Sequence, residues 1–216
     1  MAGCYLILST AAFQRANLLS NLQALQHFPG AVIVRVPTHE PGLIGRVLDW
    51  GADGIIVPHV SSAHEAQKLV GAMRYPPHGS RGFSRTVRAY GYGLKPAGEN
   101  EDAPLFFAQI ECDEAVQNVS EIAEVSGVDV LFVGPADLQL SLSVSVRAGQ
   151  PPSFEVALAR VLGASRQHRK LAGILTRSPD HTSTLAAQGF TVIGVDSDLA
   201  ILRKGFQAAA FLAPQD

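Results

Sequence analysis

Apolar residues along this chain fall into two kinds of stretch that alternate. Short unbroken runs, rich in Val, Ile and Phe, occupy 5–8, 31–36, 54–57, 105–110, 128–133, 172–175 and 191–195. Runs of that length and branched content are what strands buried on both faces require. Between most of them lie intervals with a helical spacing of apolar positions. Residues 17–27 carry Leu18, Leu19, Leu22 and Leu25, and 41–50 begin with a proline and group Leu43, Ile44, Val47 and Leu48. Residues 62–73 open with Ser62-Ala63-His64-Glu65, the pattern of a capping box. The interval 113–126 starts with Asp113 as a cap and places Ala115, Val119, Ile122, Ala123 and Val125 largely on one face; 154–168, 179–188 and 198–212 follow the same logic. Repeated strand and helix units need parallel strands, which leaves a closed barrel or an open doubly wound sheet.

Parallel strands have a chemical consequence. The runs 105–110 and 128–133 are each followed by a carboxylate, Glu111 and Asp137, and both must emerge at the same end of the sheet, where α/β folds place their sites. Two such carboxylates can share one hard divalent cation, with water and substrate oxygens completing its shell. The plainer reading is a helix cap and a closed turn. Gly134-Pro135-Ala136-Asp137 reads as a tight turn whose amides face an anion, and Gln109 points the same way as Glu111 along its strand. Arg35 ends another strand at that same edge, either as the partner of a carboxylate or as a cation for an oxyanion.

Composition narrows the class. With 47% hydrophobic and 17% charged residues over 216 positions, the chain can bury a sizeable core as a single domain, 1–216. A net charge of -2 and no basic run argue against nucleic-acid or anionic-membrane partners. Cys4 and Cys112 give no disulfide framework, no export signal is evident, and no apolar run approaches a spanning length; these point to the cytoplasm.

Four ordered segments carry a resemblance: Val34-Arg35-Val36-Pro37, Arg74-Tyr75-Pro76-Pro77-His78-Gly79-Ser80-Arg81-Gly82, Gln109-Ile110-Glu111 and Gly134-Pro135-Ala136-Asp137-Leu138. In order and spacing they resemble the HpcH/HpaI family of metal-dependent aldolases, related to citrate lyase β-subunits, over about 3–202. The resemblance implies a (β/α)8 barrel of the phosphoenolpyruvate/pyruvate type. It implies a divalent cation, Mg²⁺, Mn²⁺ or Co²⁺, held by Glu111 and Asp137. The reaction implied is aldol cleavage or formation of a hydroxylated 2-oxoacid, to or from pyruvate or hydroxypyruvate and an aldehyde. By the same resemblance Arg35 faces the enolate oxygen, the segment Gly134, Pro135, Ala136 and Asp137 binds substrate, and the assembly is a homo-oligomer, a trimer or hexamer; Gln109, beside Glu111, either contacts substrate or orients the ligand.

Two departures follow from the same alignment. The first apolar run looks like the family's second strand, so the first strand and helix unit is expected to be missing: either the chain is truncated, or a subunit contact or the last helix covers the gap. The family also carries an acid and a histidine after that strand, the histidine paired with an aspartate on a later helix. Asp49 matches the aspartate, but the turn reads Leu8-Ser9-Thr10-Ala11-Ala12, with no proton acceptor near neutral pH. His39, sharing a loop with Arg35, is then the candidate base. His59 reads more simply as a solvated or structural imidazole. The missing acid and histidine keep two alternatives open: a family member reduced to oxoacid and metal binding or to an interaction role, and a metal-dependent oxaloacetate decarboxylase. The pattern-poor segments 81–104 and 141–153 read as a lid or a subunit contact.

Overall fold

The computed structural model describes residues 5–9, 15–95, 103–145 and 151–211. Seven parallel strands, β1 (Tyr5–Ser9), β2 (Ala31–Arg35), β3 (Gly54–Val57), β4 (Leu105–Ile110), β5 (Val130–Val133), β6 (Leu171–Thr176) and β7 (Val192–Val195), pair strictly in sequence order. Each is joined to the next by helix: α1 (Arg15–Ala24), α2 (Pro41–Asp49), α3 (Ala63–Met73), α4 (Asp113–Gln117) with α5 (Val119–Glu124), α6 (Pro135–Val144) with α7 (Phe154–Gln167), and α8 (Thr182–Gln188). The helix α9 (Asp198–Phe211) follows β7. The sheet curls into a nearly closed (β/α)8-type barrel short of one strand, as the seven apolar runs predict.

Alternation along each strand builds two cores. Val32, Val34, Ile55, Val57, Phe106, Ala108, Ile110, Leu131 and Val133 point outward into the helices. Ile33, Ile56, Phe107, Val130, Phe132 and Val192 point inward and fill the barrel. The register puts Arg35 level with Ile56, and Gln109 level with Phe132. Arg35, Gln109 and Glu111 therefore continue the inward rows of β2 and β4 at the C-terminal mouth, above the apolar plug. Leu171 and Leu175, on the inward row of β6, stay exposed because no strand pairs with the free side of β7 among the described residues.

Local sequence explains most boundaries. Glu40 accepts from the Gly42 and Leu43 amides and Pro41 occupies the first turn, so α2 starts where its proline predicts. Ser62 caps α3 through the Glu65 amide, and the Glu65 carboxylate reaches back to the Ser61 amide and hydroxyl and to the Ser62 amide, as the capping box predicts. Three expectations are corrected. The interval expected as one helix is broken at Asn118 into α4 and α5. Its cap is Cys112, while Asp113 lies buried in the first turn and accepts from Gln117 and Ser145. The expected tight turn at Gly134 is the opening of a helix: Pro135 supplies its first residue, and Leu138 and Leu142, four apart, anchor it in the core. The turn residues Thr10, Ala11 and Ala12, and the parts 96–102 and 146–150 of the two pattern-poor segments, lie outside the described residues. Among the described residues no helix is long and apolar enough to cross a membrane.

Candidate active site

Glu111 is the centre of the mouth, only 1% exposed although it carries a carboxylate. Its position follows from β4, whose inward row ends Phe107, Gln109, Glu111. The Gln109 side-chain amide donates to Glu111 Oε2. The His59 main-chain amide donates to Oε1 at 2.9 Å, and His59 Nδ1 lies 3.2 Å from that same oxygen. Arg35 Nε donates to Gln109 Oε1 at 2.8 Å. Arginine, glutamine and glutamate thus form one chain of donors and acceptors from β2 to β4, with His59 closing it from the end of β3. Gly134 completes the wall: a Cβ there would stand 2.6 Å from Glu111 Oε2 and 2.7 Å from Gln109 Nε2, so only glycine leaves the pair in place.

Burial pushes the Glu111 carboxyl above the usual glutamate range, and the charge of Asp137 adds to the rise. The His59 amide, the His59 ring and Arg35 pull the other way without reversing it. The two carboxylates are therefore near enough to repel. Asp137 stands exposed in the first turn of α6, three residues after Gly134, with Pro135 and Ala136 between. The amides opening that helix have no partner within it and form the electropositive end of its dipole.

His39 and Asp49 lie elsewhere. His39 Nε2 contacts the Pro58 carbonyl oxygen at 2.7 Å, one peptide group away from Glu111. Asp49 ends α2, on the path back to the start of β3, and pairs with Arg81 at 2.6 Å. The Arg81 guanidinium also packs over the Tyr75 ring, 4.6 Å from its centroid. The structure thus joins Arg35, Gln109, Glu111 and Gly134, puts Asp137 within electrostatic reach, and leaves Asp49 in a separate cluster. A cavity of about 660 Å³ adjoins that second cluster, lined by Arg46, Asp49, Trp50, Arg81 and Tyr92, and not the carboxylates.

Comparison with known proteins assigns the family. The family model of HpcH/HpaI aldolase/citrate lyase matches residues 9–204. The chain belongs to that family. It is 38% identical over 200 residues to a pyruvate aldolase of Rhizobium etli, covering 90% of this chain and 77% of the relative. It is 36% identical over 197 residues to a 5-keto-4-deoxy-D-glucarate aldolase of Klebsiella pneumoniae, covering 90% of this chain and 76% of that one. A solved HpcH/HpaI aldolase/citrate lyase family protein from Burkholderia cenocepacia superposes with a TM-score of 0.86 at 32% identity, covering 96% of this chain and 84% of that chain. These relatives are aldolases, that is, carbon-carbon lyases, and aldolases of the HpcH/HpaI family depend on a divalent metal.

The residues at the mouth fit such an ion. Two carboxylates form a hard donor set, and their mutual repulsion is what a cation relieves. Glu111 Oε2 accepts from the Gln109 amide and, with two lone-pair directions, keeps capacity for a metal. Among the described residues no three His, Cys, Asp or Glu side chains form a metal-holding cluster, so water and substrate oxygens would fill the other positions.

His59 is exposed, as a solvated or structural imidazole is expected to be, and its ring also meets Glu111. Its contact with Glu111 depends on a left-handed backbone, φ 53°, that a non-glycine residue seldom adopts and that no apolar pattern announces. The one available signal was position: Val57-Pro58-His59 ends a strand at the same edge as the carboxylates.

Proposed function

We propose that the chain catalyses the reversible aldol cleavage of a hydroxylated 2-oxoacid to pyruvate or hydroxypyruvate and an aldehyde, at the mouth formed by β2, β4 and β5. The observation that carries this reading is the buried Glu111, oriented by Gln109 and the His59 amide, repelled by Asp137 and linked to Arg35. Glu111 and Asp137 hold the divalent ion, Mg²⁺, Mn²⁺ or Co²⁺, which supplies Lewis acidity toward the 2-oxo group. Arg35, steadied through Gln109, stands where negative charge develops on the enolate oxygen. The amides of Ala136 and Asp137 at the start of α6 bind the substrate carboxylate. His59 is 67% exposed beside Glu111, so solvent reaches this edge and water carries the proton. Asp49, engaged with Arg81, supports the fold around α2 and does not touch substrate in this reading. The exposed apolar face of α9 and the side of β7 left unpaired among the described residues support a homo-oligomer.

Decarboxylation of oxaloacetate is a second reading, favoured by one observation. The segment Leu8-Ser9-Thr10-Ala11-Ala12 holds no side chain that accepts a proton near neutral pH, and loss of carbon dioxide needs no such acceptor to begin. Protein stripped with chelator and reloaded with Mg²⁺, Mn²⁺ or Co²⁺ separates the two. Pyruvate release from hydroxylated 2-oxoacids supports the aldolase; release from oxaloacetate alone supports the decarboxylase. Cation binding without either turnover supports a binding subunit.

A further inference from the structure

We propose that His39 is a positioning residue for Glu111, acting through the Pro58–His59 peptide group that lies between them. The inference rests on reading Glu111 as a cation ligand. His39 Nε2 lies 2.7 Å from the Pro58 carbonyl oxygen. A carbonyl only accepts, so Nε2 carries the proton and donates. The N–H of that same peptide group, on His59, donates to Glu111 Oε1 at 2.9 Å. The C=O and N–H of a trans peptide point in opposite directions, so the imidazole and the carboxylate stand on opposite edges of one planar unit. A hydrogen bond accepted at the oxygen polarises the amide and strengthens its N–H as a donor.

The arrangement also fixes an orientation that the backbone does not favour. His59 has φ 53°, a left-handed conformation costly for a residue with a Cβ, so bonds at both edges of the preceding peptide hold that amide on Glu111. His39 comes from the loop after β2 and Pro58 from the end of β3, so the bond ties two strand ends together beneath the carboxylate. Glu65, held by the Ser61 amide at 2.8 Å and the Ser61 hydroxyl at 3.0 Å, is near enough for its charge to act on the ring. His39 is therefore part of the support of the site, with no contact to the reacting atoms.

Mn²⁺ binding to the full chain, followed by electron paramagnetic resonance, tests this. His39→Ala is expected to weaken Mn²⁺ binding by about tenfold, the scale on which groups supporting a ligand act. His39→Gln, which keeps an N–H donor of similar reach, is expected to recover most of that loss. Should the alanine variant not fold, His39→Asn, a donor too short for Pro58, takes its place in the same comparison. Equal affinities in wild type and these variants overturn the proposal, and so does equal loss in His39→Ala and His39→Gln, which assigns the effect to ring packing. Glu111→Gln measured alongside separates the two levels. If it alone loses Mn²⁺, the cation site stands and the role of His39 falls. If wild type binds no Mn²⁺, or Glu111→Gln binds as tightly, both fall.

Discussion

Glu111 is a buried acid whose ionised form is opposed first by burial and then by the charge of Asp137. A raised acid favours its protonated form in the fold, so the stability it contributes is complete below the ordinary glutamate range and is lost as pH rises through the raised value. A cation at Glu111 needs the ionised form and competes with that proton. The metal-free protein therefore loses stability here as pH rises, and Mn²⁺ restores it. Thermal denaturation with and without Mn²⁺ is expected to show a gap that widens as pH rises above the ordinary glutamate range; a gap independent of pH refutes the assignment. Gly134 is the second sensitive position, because a methyl group there meets both Glu111 and Gln109. Gly134→Ala is expected to cost about 10- to 100-fold in metal affinity or kcat, the cost of displacing a ligand's supports. Wild-type affinity and kcat in that variant would show that the wall has room to give. At this scale the strand period made Glu111 and Gln109 legible, since alternate residues share a face. The Arg81 partner of Asp49 was not legible, because the two are brought together by the packing of α2 against a segment without periodic pattern.

Close strand packing controls the elements. A Cβ on Gly54 would stand 2.7 Å from the Leu105 carbonyl oxygen and 2.9 Å from Ile33 Cδ1, where β2, β3 and β4 meet inside the barrel. Gly54→Ala is expected to destabilise by about 1–3 kcal/mol, the usual cost of overpacking, measured by urea denaturation. A stability equal to wild type would mean that the strands there are loosely held. The seven strands and most helices could be read from apolar runs because burial on both faces dictates composition. Helix α6 could not, since Gly-Pro-Ala-Asp satisfies both a turn and the first turn of a helix, and Leu138 and Leu142 decide between them only through the core they enter. The break at Asn118 was hidden for a similar reason: α4 and α5 keep a single apolar stripe across it, with Ala115, Val119 and Ile122 all buried.

At the scale of the whole molecule, no strand pairs with the free side of β7 among the described residues. Leu171, Leu175 and Val195 on β6 and β7, and Leu199, Ile201, Leu202 and Phe206 on α9, are all exposed, Phe206 by 68%. Exposed apolar surface of this extent marks an association surface. Sedimentation of the full chain is expected to give a multiple of the monomer mass, with Phe206→Asp shifting it toward monomer; a wild-type monomer contradicts this. A barrel one strand short was legible in the count of seven apolar runs. The barrel, the family and the carboxylate pair converge on one chemical claim, that Glu111 and Asp137 together hold the cation on which carbon-carbon cleavage depends. The most direct measurement is pyruvate release from a hydroxylated 2-oxoacid by Mn²⁺-loaded wild type, Glu111→Gln and Asp137→Asn, each with its fold verified by circular dichroism. Turnover in wild type and a loss of at least about 100-fold in both folded variants is the predicted result. Turnover undiminished in either folded variant would contradict it.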